Sequence, residues 1–213
     1  MEIAFLASSI VLFIAYLVVS SILYKKREKE RFELANHFPF ELWIKEKGSD
    51  FILNIFLFIP FILFSTNYIL FAIKFADLPV YVATFLAVAN CAIATLLFIT
   101  PLSKLREHCI LVILFITFTA ILNGFLIYKE VKIWQQDVNY WLLLPMIINA
   151  LIVLEAIIML AHPALFKFNM ARDSEGNIVR PKRFAICIIE WGLMFSLLIS
   201  QVSIILIKEL AVL

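Results

Sequence analysis

Long apolar runs, each about 20 residues, recur along the whole chain and are separated by short polar stretches. A helix of that length, rising 1.5 Å per residue, matches the ~30 Å hydrocarbon core of a bilayer. The pattern predicts six membrane-spanning helices at residues 3–24, 51–73, 80–100, 108–128, 141–161 and 184–207. Between them lie three basic segments, 25–50, 101–107 and 162–183, which alternate with shorter connections on the opposite side. No stretch outside the runs is large enough for a soluble domain, so the expected fold is an all-α integral membrane protein, a single six-helix bundle.

Composition agrees: 64% of the 213 residues are hydrophobic and the mean hydropathy is +1.01. The placement of the 18 Lys and Arg residues says more than the net charge of +2. Lys74, Lys129, Lys132 and Lys208 fall on one side, and the other 14 on the alternate side. The positive-inside rule then puts the three basic segments in the cytoplasm and both termini outside. The first run is followed, not preceded, by its positive cluster, Lys25, Lys26 and Arg27, which predicts a retained anchor and not a signal peptide. A composition rich in Ile, Phe and Lys suits a low-GC bacterium, so the expected location is the bacterial cell membrane. The small net charge gives no electrostatic support for a nucleic-acid partner.

The connections carry their own signals. The mixed charges from Lys25 to Arg31 predict that the first helix continues into the cytoplasm. Phe38–Lys47, begun by Pro39, reads as a short interfacial helix lying among headgroups. In the last cytoplasmic segment Asp173, Ser174, Glu175, Gly176 and Asn177 are a turn signal between apolar flanks, which predicts a small β-hairpin between the fifth and sixth helices. On the other side, 129–140 reads as a 12-residue loop whose Trp134 and Tyr140, with Trp141, form an interfacial belt.

Packing signals follow the spacing of small residues. Ala83, Ala87, Cys91 and Thr95 recur every fourth residue in the third span, and Gly192, Ser196, Ser200 and Ser203 line the sixth. Small side chains let helix backbones approach closely, so these two spans are expected at the centre of the bundle. The phenylalanines concentrated in the second and fourth spans and the loops are expected to face lipid or fill gaps, and Pro60 to kink the second span near its middle.

The candidate chemistry lies in polar groups at membrane depth, where an ionisable side chain is costly and commonly marks a pathway. Glu155 and Glu190 each stand about six residues from the cytoplasmic ends of the fifth and sixth spans, so both lie roughly 9 Å deep on antiparallel neighbours. His162, seven residues after Glu155, shares its helix face. Asn90 and Asn149 fall near mid-membrane. Two carboxylates in one low-dielectric site do not both ionise at low cost, a behaviour that proton- or cation-coupled proteins use. The alternative is structural: each polar group hydrogen-bonds a neighbouring helix.

Enzyme signatures are missing. No HExxH or acidic metal-phosphate motif occurs, His108 and His162 lie at span ends where a serine protease would want its His within a span, and the paired intramembrane His of a haem site are absent. Cys91, Cys109 and Cys187 have no CxxC spacing. The sequence therefore predicts no catalytic residue, metal or cofactor. Its first functional reading is a non-catalytic polytopic protein, a small subunit or accessory factor that associates with other membrane proteins or with itself. Its second is a small proton- or ion-coupled transporter built on Glu155 and Glu190.

Overall fold

A computed structural model describes residues 2–37, 39–42, 52–75, 80–100, 104–136, 138–161 and 185–210. All regular structure among them is helical. Six helices are long and apolar enough to cross a membrane, which makes the chain a multi-pass integral membrane protein by length and composition. They are α1 (Glu2–Glu28), α2 (Ile55–Phe75), α3 (Val80–Ile99), α4 (Leu105–Gln136), α5 (Leu143–Ala161) and α6 (Ala185–Leu210). Short 3-10 turns occupy Pro39–Leu42 and Tyr140–Leu142. The expected hairpin and His162 both lie outside the described residues.

Sequential helices pack side by side from α1 to α6, and α6 closes the ring while also touching α1, α2 and α4. The sixth helix is therefore the axis of the molecule. In its most apolar stretch 56% of residues are buried, against 28% in α3. The expectation of two central helices is corrected on this point: α3 packs between α2 and α4, and its far side, with Tyr81, Phe85 and Val88, is exposed. The reason is geometric. A row of every fourth residue drifts about 40° per step around a helix, so it cannot stay on one face. The buried row of α3 runs through Ala83, Ala87, Asn90, Ala94 and Leu97, while Cys91 and Thr95 are half-buried. Ala87 still does what a small residue allows, because Ser65 of α2 donates a hydrogen bond to its backbone carbonyl at 2.9 Å.

Of the two roles expected for the phenylalanines, Phe61, Phe64 and Phe71 of α2 and Phe115 of α4 fill the core, while Phe56 is exposed. The exposed surface of α1 and α5 is aliphatic, with Ile3, Val11, Ile14 and Val18 on α1 and Ile147, Leu151, Leu154 and Ile158 on α5. One further expectation changes. Helix α4 does not stop at Tyr128 but continues to Gln136, so most of the expected outer loop is helix. At 32 residues it is about 48 Å long, well beyond the hydrocarbon thickness.

At the basic end α1 stops at Glu28, one turn earlier than its charges predict, because Lys29 takes a left-handed conformation with φ 60°. Its N–H then caps the carbonyl of Lys25 at 3.1 Å. The chain turns back over the bundle, and Arg27 Nη2 donates to the Glu41 carbonyl at 3.0 Å. Of the expected interfacial helix, the described part is the single 3-10 turn Pro39–Leu42. At the opposite end Asn139 caps the Tyr140–Leu142 turn and donates from Nδ2 to the Leu210 carbonyl at 3.2 Å, joining the start of α5 to the end of α6.

Candidate functional site

The sixth helix gathers polar side chains that a lipid-facing helix could not carry. From the basic end they are Glu190, Ser196, Ser200, Gln201, Ser203 and Lys208, all buried. Each finds its setting because α6 packs against α1, α2, α4 and α5, so its polar groups meet neighbours instead of hydrocarbon. Glu190 and Lys208 are about 27 Å apart along the helix, close to the hydrocarbon thickness. The polar line thus runs the depth of a bilayer.

At the basic end the Glu190 carboxylate lies 3.5 Å from Nε2 of His108, on the first turn of α4. Both side chains are almost wholly buried, and His108 Nδ1 is 3.1 Å from the Thr100 carbonyl at the end of α3. Three helices thus converge on one acid–imidazole pair. Glu155 is at the same level on α5. Its carboxylate rests directly on Gly192, where a β-carbon would collide with Oε1. The glycine makes room for the acid, two residues from Glu190. The structure therefore brings both sequence-predicted carboxylates to one end of the bundle, and among the described residues the histidine that meets Glu190 is His108.

An aromatic cover closes this end. Trp191 donates from Nε1 to the His37 carbonyl at 2.9 Å, fastening the segment after α1 onto α6. Phe32 stacks edge-on against both Tyr24 and Trp191, with centroids 5.2 and 6.0 Å apart, and lies 5.0 Å from the His37 ring.

In the middle, Gln201 joins three helices: Asn67 Nδ2 of α2 donates to its Oε1 at 3.1 Å, and its Nε2 donates to Ser9 Oγ of α1 at 3.3 Å. One residue earlier, Ser200 donates to Asn123 Oδ1 of α4 at 2.8 Å. Asn90, singled out from the sequence, faces Thr119 of α4 from α3, 3.5 Å from its hydroxyl, and so stands beside the line and not in it.

Toward the other end the structure contains a site the sequence reading missed. Glu130 of α4 is fully buried. Asn149 Nδ2 of α5 donates to Glu130 Oε1 and to Ser203 Oγ of α6, both at 2.7 Å. Ser203 is about 8 Å along α6 from Lys208, so this cluster is inside the bundle and not on its rim. A signal was available: Thr119, Asn123, Leu126 and Glu130 follow one another at helical spacing on the buried face of α4. Assigning Glu130 to a loop hid it. The line ends where Lys208 pairs with Glu2 of α1.

Comparison with protein families, with curated proteins and with solved structures gives no match to this chain. Its function has to be argued from the site alone. Among the described residues no group of three His, Cys, Asp or Glu is arranged to hold a metal ion.

Proposed function

We propose that this chain is a small proton- or ion-coupled carrier of the bacterial cell membrane, working along its sixth helix, with the basic end in the cytoplasm. The observation that carries the reading is the position of its buried acids. Glu190 with His108 sits near one end of α6, Glu130 with Asn149 near the other, and Ser200, Asn123, Gln201 and Asn67 lie between them. Neutral amides and hydroxyls are sufficient to hold membrane helices together, at about 0.6 kcal/mol for an average interhelical hydrogen bond. Buried carboxylates are not needed for that, and their cost favours a role in binding or passing a cation.

Within this reading Glu190 and His108 exchange a proton at the cytoplasmic mouth. Glu155 is the second acid there, and the Phe32–His37 segment is the cover that Trp191 holds shut. The test is flux in liposomes loaded with a pH-sensitive dye under imposed proton and Na+ gradients. Glu190→Gln and Glu155→Gln are expected to lower flux about tenfold or more while the melting temperature and oligomeric state stay those of the wild type. Full flux in both variants, or loss of folding in place of flux, overturns it.

The second reading, a non-catalytic subunit of a membrane complex, is favoured by the outer side of α3. There Tyr81, Thr84, Phe85, Val88 and Ala92 line a shallow apolar groove of about 590 Å³, suited to a transmembrane helix of a partner protein. Gentle extraction followed by intact-complex mass measurement distinguishes the two: a stoichiometric unlike partner supports the subunit, and the bare chain or its homo-oligomer the carrier.

A further inference from the structure

Glu130, Asn149 and Ser203 come from three different helices and meet inside the bundle, each fully buried. Their hydrogen bonding is incomplete on one side. Asn149 Nδ2 serves both Glu130 Oε1 and Ser203 Oγ, and Ser203 stands beside the Glu130 carboxylate, yet Glu130 Oε2 and Asn149 Oδ1 are buried acceptors that no hydrogen bond of ordinary geometry reaches among the described residues. No Lys, Arg or His among these residues forms an ion pair with Glu130. Unsatisfied acceptors at this depth are expensive, and a lone carboxylate more so. One small positive charge relieves both, either a proton on Glu130 or a cation held between the two oxygens.

We propose that Glu130, Asn149 and Ser203 form a binding site for a monovalent alkali cation, Na+ in the first instance. The donor set fits that chemistry. All the available ligands are hard oxygens: a carboxylate, an amide carbonyl and a hydroxyl. The site offers a single negative charge, which one monovalent ion neutralises, whereas Ca2+ or Mg2+ would keep an uncompensated charge in a low-dielectric interior. Asn149 supplies the change between states. A half-turn of its amide exchanges nitrogen for oxygen, so the group that donates to Glu130 in this structure becomes a third oxygen ligand when the ion is bound. The same three residues thus have a self-bonded form and a cation-bound form, and α4, α5 and α6 are drawn together in both.

Binding itself stands on these residues alone; only the ion's role in coupling rests on the carrier reading. The experiment is equilibrium dialysis of the full chain in lipid nanodiscs against radiolabelled Na+, with choline as the non-binding counter-cation. The wild type is expected to bind Na+ saturably at a stoichiometry of one, Glu130→Gln to lose binding, and Ser203→Ala to weaken it roughly tenfold. Na+ is also expected to raise the melting temperature over choline by about 5 °C or more at a hundredfold excess over its dissociation constant, and to do so only when Glu130 is present. No saturable binding by the wild type, or undiminished binding in Glu130→Gln, overturns the proposal. If that variant does not fold, Ser203→Ala decides in its place, and binding at wild-type affinity overturns the site. Na+ binding without flux in liposomes keeps the site and removes the carrier; flux without Na+ binding does the reverse.

Discussion

Gly192 has no space for a β-carbon, because the Glu155 carboxylate from α5 occupies it. Gly124, the other helical glycine among the described residues, has nothing within 4 Å of the same position. The two should respond in opposite ways to the same substitution. Gly192→Ala is expected to lose about 1–3 kcal/mol through overpacking, and adding Glu155→Ala should restore part of that loss, as coupled neighbours do. Gly124→Ala should be neutral or gain up to about 1 kcal/mol from helix propensity. Thermal denaturation in one detergent checks all three; equal effects at the two glycines would contradict the contact. The sequence places Glu155 and Glu190 at one level by counting residues from their span ends, because rise per residue is constant. It does not reveal that Gly192 makes room for Glu155, nor that His108 is the imidazole that meets Glu190. Counting gives depth along a helix, whereas partnership depends on rotation and on which helices are neighbours.

The elements differ in how plainly the sequence announces them. Transmembrane helices follow from length and apolarity, and the six observed helices overlap the six expected spans. Their ends follow from local chemistry that hydropathy does not capture. Helix α1 ends at Lys29 in a left-handed turn, with no glycine to mark it. Lys29→Gly is therefore expected to raise stability by about 1 kcal/mol, by removing the β-carbon penalty at that turn. A loss of stability would mean that the Lys29 side chain matters more than its backbone. Helix α4 runs eight residues past its expected end because Lys129, Glu130 and Lys132 lower hydropathy without breaking the helix. Small-residue stripes mislead in a different way: α3 has the stripe but not the central position, since close approach is needed between any two helices and not only at the axis. The axis is marked instead by Gln201, which bonds to both α1 and α2. Gln201→Leu should cost about 1–3 kcal/mol by leaving Asn67 and Ser9 without their partner. A change below a few tenths would show that these bonds do not hold the three helices together.

For the molecule as a whole, hydropathy predicts the number of spans, and alternation of basic segments predicts their orientation. The small-residue stripe marks the sixth span as central, but which helices surround it was not legible, because each span is apolar enough to be lipid-facing and the choice rests on a minority of polar side chains. In the assembled bundle those side chains form successive clusters in line along α6, from Glu190 and His108 at one end to Lys208 and Glu2 at the other. The carrier reading makes this line a route that water and ions reach during a working cycle, not only a seam between helices. Single cysteines, in a chain whose Cys91, Cys109 and Cys187 have been replaced, test it. Ser196→Cys, Ser200→Cys and Ser203→Cys are probed with a membrane-impermeant thiol reagent from each side in turn, with Ile199→Cys on the exposed face of α6 as the lipid-facing control. A route predicts that the serine positions react from at least one side and that their reactivity changes when the Na+ or proton gradient is removed, while Ile199→Cys stays inert. If all three serine positions are as unreactive as the control under every gradient, the line is packing alone and the carrier reading fails.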